Sequence, residues 1–243
     1  MVPALNELIE FVFPGLSTAS FDLLSFSNSA ILTPKNSAVD EINEVITSKF
    51  PGQEHTYLSF DETTDPAQQG LYIDFLHSLL PTGMPAHQLL LKKNIPILLL
   101  RNINASKGLC NGTRLICKEF SKHLITAQIT AGEKKGTIVF IPRIPLQPSN
   151  PQQYPVQFTR RQFPIRPCFA MTINKAQGQT LNKVGVYLPE PVFSHGQLYV
   201  ALSRATTAEK IRVHLKHSEN DPLAYFCTKN IVYKELLHEA NCS

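Results

Sequence analysis

Phe169-Ala-Met-Thr-Ile-Asn-Lys-Ala-Gln-Gly-Gln-Thr-Leu181 opens as an apolar run, Phe169 to Ile173, and passes at once into a polar loop from Asn174 to Thr180. A short, continuous apolar run bounded by turn signals reads as a buried strand. Val184-Gly-Val-Tyr-Leu188 reads as the next strand, and Ile211 to Leu215 alternates like an edge strand. Between them Gly196 to Ala205 has helical spacing through Leu198 and Val200 to Leu202. Far upstream, Ala30-Ile-Leu-Thr33 is a similar apolar run broken by Pro34. Asn36 or Ser37 then caps a helix whose Val39, Ile42, Val45 and Ile46 share one face. Buried strands joined to amphipathic helices predict an α/β layer. The first residues add a helix from Leu5, Leu8, Ile9 and Val12, ending near Pro14 and Gly15.

The texture differs between these halves. Leu89–Leu91, Ile95–Leu100, Thr113–Cys117, Leu124–Ile129 and Thr137–Ile141 are short β-rich runs separated by Gly, Asn, Lys or Pro. Their spacing predicts a small antiparallel barrel. Pro142, Pro145, Pro148, Pro151 and Pro155 follow, and this stretch reads as an extended linker. The whole is one α/β domain interrupted by an inserted barrel.

Composition narrows the classes. The 243 residues are 43% hydrophobic, enough for a sizeable core and against a wholly disordered chain. No apolar run approaches the roughly 20 residues that span a bilayer. The start, Met-Val-Pro with Glu7 and Glu10, lacks the basic region of a secretory signal. Five cysteines in no Cys-x-x-Cys spacing argue for reduced thiols in an intracellular protein, not for zinc or disulfides. The net charge of +4 hides an asymmetry. Residues 1–76 carry eleven acids and two bases, whereas residues 77–243 carry eight acids and twenty-one bases. A basic region of that size attracts a polyanion, nucleic acid being the commonest, although a solvated Lys-rich surface has the same composition.

Thr172, Lys175, Gln177, Gly178 and Thr180 gather hydroxyls, an amide, a cation and an open backbone, donors suited to phosphate oxygens. Arg204 ends an otherwise apolar helical run, as a surface residue, a carboxylate partner or a finger to a γ-phosphate. None of the eleven glycines precedes a Lys, so the chain holds no P-loop. Asp61-Glu62 has the form of a magnesium-binding motif, but that motif works only with a P-loop, and a surface turn with two acids is the plainer reading. No metal site is expected.

Thr172-x-x-Lys-x-Gln-Gly-x-Thr180 and Gln197-x-Tyr-Val-Ala-Leu-Ser-Arg-Ala205 resemble motifs V and VI of superfamily-one helicases. The nearest likeness is to PIF-type (petite integration frequency) DNA helicases, including Helitron relatives. Ile31-Leu-Thr-Pro-Lys-Asn36 with Ile42-Asn43 resembles the family's motif IV region. His77-Ser-Leu-Leu-Pro81 before Gly83-Met-Pro85, and Leu99-Leu-Arg-Asn102 with Gly108-Leu-Cys-Asn-Gly-Thr-Arg-Leu115, resemble its accessory insert. Asn94 stands where relatives often have Gly, and Asn174 where they often have His.

The resemblance, covering about 30 to 215, implies a second RecA-like domain holding a small Src-homology-like β-barrel. The implied limits are a helical segment 1–16, RecA-like parts 17–76 and 166–217, a barrel with Pro-rich linker 77–165, and a tail 218–243. It implies that Thr172, Lys175, Gln177, Gly178 and Thr180 couple single-stranded DNA to nucleotide state. Arg204, with Gln197 near it, would face the γ-phosphate. Arg101, Lys107 and Arg114 of the insert would contact backbone phosphates. The complete enzyme would be an ATP- and Mg2+-dependent 5′-to-3′ helicase acting on single strands or junctions, nuclear or mitochondrial, with no membrane partner. Its first RecA-like domain is absent from these residues, so the chain alone is expected to be inactive. Two alternatives share the same motifs: a non-catalytic module binding single-stranded DNA or a helicase partner, and a transposon relic.

Overall fold

The computed structural model describes residues 3–16, 26–215 and 228–232. They fall into two compact units, one from 1–46 with 169–243 and the other from 47–168.

The first unit is built on a four-stranded sheet of β1 (Ala30–Thr33), β12 (Ala170–Thr172), β13 (Val184–Leu188) and β14 (Ile211–Leu215), in the order β12-β1-β13-β14. Every pairing is parallel. β1, β12 and β13 are buried along their whole length, as strands covered on both faces must be. Helix α1 (Pro3–Val12) lays Leu5, Leu8, Ile9 and Val12 against the sheet, as its periodicity predicts. The contact needs Gly185: a Cβ there would lie 2.8 Å from Val12 Cγ2 and 3.0 Å from Leu8 Cγ. Helix α2 (Asn36–Lys49) buries Val39, Ile42 and Ile46. From it Asn43 reaches the open edge of β12. Its Oδ1 accepts from the Phe169 and Ala170 N–H groups at 2.9 and 2.8 Å, and its Nδ2 donates to the Ala170 carbonyl at 3.2 Å. An edge that would otherwise leave buried peptide groups unmatched is closed by one side chain.

The second unit is antiparallel. Its largest sheet runs β11-β5-β6-β7-β8, from β5 (Pro96–Leu99), β6 (Arg114–Phe120), β7 (Leu124–Ile129), β8 (Ile138–Pro142) and β11 (Ile165–Pro167). β3 (Phe60–Thr63), β10 (Phe158–Gln162) and β9 (Ile144–Leu146) form a second sheet, and β2 (Glu54–Leu58) with β4 (Gln88–Lys92) a third. Helix α3 (Gln69–Ser78) packs on β3. The antiparallel character is as expected, but the described strands resolve into three separately bonded sheets, where one small barrel was expected. The unit also starts at 47, earlier than the expected 77, because β2 and β3 find their partners in β4 and β10. The Pro-rich stretch is not wholly linker: β9 lies inside it and pairs with β10. Asn94 has φ +70°, the left-handed backbone that Gly adopts freely and Asn tolerates. Cys110, Cys117 and Cys168 are free thiols, and burial pushes the Cys117 thiol well above its ordinary range. No helix among the described residues is long and apolar enough to cross a membrane.

Candidate nucleic-acid interface

At the carboxyl end of the parallel sheet β1 and β12 finish side by side, with Thr33 in register with Thr172. Both residues are buried, and the Thr33 hydroxyl makes no hydrogen bond. In open parallel sheets this end is where ligands bind. Beyond Thr172 the chain makes a 3-10 turn, Ile173–Ala176, anchored by the buried Ile173 and Ala176. Asn174, Lys175, Gln177, Gly178 and Thr180 are thereby held exposed. Gly178 has φ +78° with open space around it, so its role is to turn the backbone, not to admit a close neighbour.

Arg204 follows helix α4 (Gln197–Leu202) and turns back onto this loop. Its Nη1 donates to the carbonyls of Gln179 at 3.0 Å and Ala176 at 3.4 Å, its Nε to Val200 at 2.9 Å, and its Nη2 to Ser203 Oγ at 2.8 Å. The backbone repeats the link, since the Leu181 N–H donates to the Arg204 carbonyl at 3.0 Å. Gln197, expected beside the γ-phosphate, is only 2% exposed. Its Oε1 accepts from the Phe193 N–H at 3.1 Å, and its Nε2 donates to Asn174 Oδ1 at 3.4 Å. A buried amide engaged at both ends positions the loop and does not present itself to a ligand. The structure therefore brings Thr172, Lys175, Gln177, Gly178, Thr180, Gln197 and Arg204 into one assembly.

Arg101, Lys107 and Arg114 belong to the other unit, and they divide. Lys107 is exposed at the end of a 3-10 turn, Ala105–Lys107, where Asn104 Oδ1 accepts from the Lys107 N–H at 3.2 Å. Arg101 is half-buried and donates from Nη1 to the Leu100 carbonyl at 3.3 Å. Arg114 corrects the expectation of a phosphate contact. It is 4% exposed because β6 begins with four inward-packed residues, and its Nη2 faces the Cys168 carbonyl at 3.5 Å.

Sequence reasoning missed a polar hub in the same unit. Asp61, read as part of a surface turn, is fully buried and paired with the equally buried Arg160 at 2.7 Å. Arg160 also donates to the carbonyls of Leu76 at 2.6 Å, Leu79 at 3.0 Å and Pro85 at 3.1 Å, so one guanidinium fixes the end of α3 and the loop after it. Ser59 Oγ lies 2.7 Å from Asp61 Oδ1 and 2.8 Å from His87 Nδ1, and the His77 and His87 rings stack with centroids 3.6 Å apart. Burial lowers the His87 pKa, with His77 adding to the effect. Ligand atoms of Asp61, His77 and His87 lie within 4.8 Å of one another. The Asp61 carboxylate accepts from Arg160 and Ser59, so the group forms a hydrogen-bond hub.

The chain thus combines a parallel α/β unit, with phosphate-suited residues at its strand ends, and an antiparallel β insert, and its matches are to DNA helicases. Residues 74–120 match the family described as DNA helicase Pif1, 2B domain. The chain is 30% identical over 195 residues to the ATP-dependent DNA helicase PIF1 of Homo sapiens, across 79% of this chain and 27% of that protein. To the PIF1 helicase of Xenopus laevis it is 32% identical over 178 residues, across 72% of this chain and 26% of that one. A crystal structure of Pif1 helicase from Bacteroides, in complex with ADP-AlF3 and ssDNA, shares the fold with a TM-score of 0.62 at 20% identity, across 100% of this chain and 50% of that one. The chain is a relative of the PIF-type DNA helicases, and it spans about a quarter of the length of the curated relatives it matches.

Proposed function

We propose that this chain supplies the second motor half of a PIF-type, ATP-dependent 5′-to-3′ DNA helicase, its parallel unit RecA-like and its insert a Src-homology-like accessory domain. Such an enzyme would serve replication, repair, recombination or telomere upkeep on nuclear or mitochondrial DNA. The observation that carries this reading is the set of hydrogen bonds from Arg204 to the carbonyls of Ala176 and Gln179. The arginine suited to a γ-phosphate and the loop suited to a DNA backbone form one mechanical piece. When nucleotide draws the guanidinium away, those carbonyls lose their donors and the loop is free to shift its grip on the strand. Lys175, Gln177 and the Thr180 hydroxyl hold the DNA backbone, with Thr172 buried at the end of β12, while Gln197 keeps Asn174 in place. Toward ATP and Mg2+ these 243 residues offer only the arginine, since none of them forms a Gly-Lys-Ser/Thr cradle.

The test is ATP turnover. The isolated chain should hydrolyse no ATP with or without DNA. In a complete enzyme that joins it to a P-loop domain, Arg204→Ala should cost about 10³-fold or more in turnover while DNA binding persists. DNA-stimulated turnover by the isolated chain, or full turnover by the variant, would sink the reading.

A further inference from the structure

The five-stranded sheet of the insert ends at β8, with no strand beyond it among the described residues. The Ile129 N–H donates to the Thr137 carbonyl at 3.0 Å and the Ile129 carbonyl accepts from the Gly136 N–H at 2.8 Å, so the bonded pair just before β8 joins Ile129 to Gly136 and Thr137. Such pairs alternate with non-bonded ones along an antiparallel ladder. The next pairs, Gln128 with Ile138 and Thr126 with Phe140, follow that alternation. The N–H and C=O groups of Ile138 and Phe140 therefore point away from β7, along an open edge. Their side chains are 47% and 57% exposed, between the buried Val139 and Ile141. Protein edges are ordinarily guarded by charge, proline or a bulge. β8 has no charged residue, and its one proline, Pro142, stands at its end.

A cleft of about 530 Å³ lies along this strand, with Ile103, Leu109 and Phe140 among its apolar walls and Lys107 and Lys134 as its cations. The turn bearing Lys134 is seated on the opposite loop, since a Cβ at Gly108 would lie 3.1 Å from Lys134 Cγ. Neither lysine has a carboxylate partner among the described residues.

We propose that this edge docks an extended acidic segment of a partner protein, which pairs with β8 as an added strand. Apolar side chains at alternate positions of the segment meet Ile138 and Phe140, and acidic residues beyond them meet Lys107 and Lys134. The charges select this occupant. A second copy of the chain pairing through β8 would bring four lysines together, and a nucleic-acid strand would satisfy the lysines yet offer no peptide groups to the outward N–H and C=O.

The probe is a labelled nine-residue peptide, Asp-Glu-Val-Thr-Ile-Thr-Val-Asp-Glu, titrated with the full chain by fluorescence anisotropy. Saturable binding is expected. Phe140→Pro should weaken it about tenfold, the upper end of what one hydrogen bond is worth. The fold should survive, because edge strands accept proline where the N–H faces outward; circular dichroism and melting check this. Phe140→Ala, which keeps the N–H, tests the side chain separately, and Lys107→Glu with Lys134→Glu should weaken binding more at low salt than at high. No binding at millimolar peptide, or equal binding by Phe140→Pro, overturns the proposal. Self-association lost in Phe140→Pro would give the edge to a second copy. A thymidine oligomer whose binding depends on Phe140 while the peptide's does not would give it to nucleic acid. Either result also overturns the proposal.

Discussion

Arg160 spends its guanidinium on Asp61 and three carbonyls, entirely out of water. Removing one partner from such a pair strands the other charge in the interior, at a cost of about 3–5 kcal/mol. Asp61→Ala should therefore lower the unfolding free energy by that amount in a denaturant titration, and Asp61→Leu combined with Arg160→Met should recover only part of it, because the carbonyls of Leu76, Leu79 and Pro85 then lose their donor. His87 gives the neighbourhood a pH dependence. Burial and His77 hold its folded pKa below the ordinary value. The unfolded chain then binds more protons once the pH drops under about 6.5. Stability from this residue is fully present above that value and is lost as the pH falls through the lowered folded pKa. Melting temperatures measured from pH 8 to 5 should show the decline, and His87→Gln should flatten it.

At the scale of elements, α1 and β13 meet without room for a methyl group. Gly185→Ala puts its Cβ 2.8 Å from Val12 Cγ2, and overpacking of this kind costs about 1–3 kcal/mol. Thermal melts should show the loss, and adding Val12→Ala should relieve part of it. The strands of this unit were readable because β1, β12 and β13 are covered on both faces and appear as unbroken apolar runs. α1 and α2 were readable from their apolar stripes. α3 was not: only Leu76 of its ten residues is buried, and Leu71 and Phe75 face outward, so no stripe marks it. β3 and β10 escaped notice because each carries a charge into the core, Asp61 and Arg160, where an apolar residue is the usual signal.

For the molecule as a whole, charge separates along the two units. Residues 47–168 hold fourteen bases and seven acids, and the remainder nine bases and twelve acids. Binding of single-stranded DNA should weaken with salt, each neutralised phosphate contributing about 0.7 to the slope of log affinity against log salt. Lys175→Ala should lower that slope by about 0.7, read by anisotropy of a labelled oligonucleotide across salt concentrations, whereas Arg114→Gln should leave the slope unchanged because that side chain is buried. The DNA-suited loop was legible as residue types close together in sequence. The links from Arg204 back to it, and the burial of Gln197 and Arg114, were not, because they depend on how helix and strand ends meet in space.

The order β12-β1-β13 sets a timetable for synthesis. Ile31 pairs with Ala170 on one side and with Gly185 on the other, so β1 leaves the ribosome long before either neighbour exists. The insert, whose strands lie between, can close as soon as Arg160 and β11 emerge. At about 5–20 residues per second, the apolar Ala30–Thr33 waits many seconds unpaired while a later part of the chain finishes first. Among these residues the insert assembles before the sheet that flanks it, and β1 stays unpaired until β12 and β13 emerge.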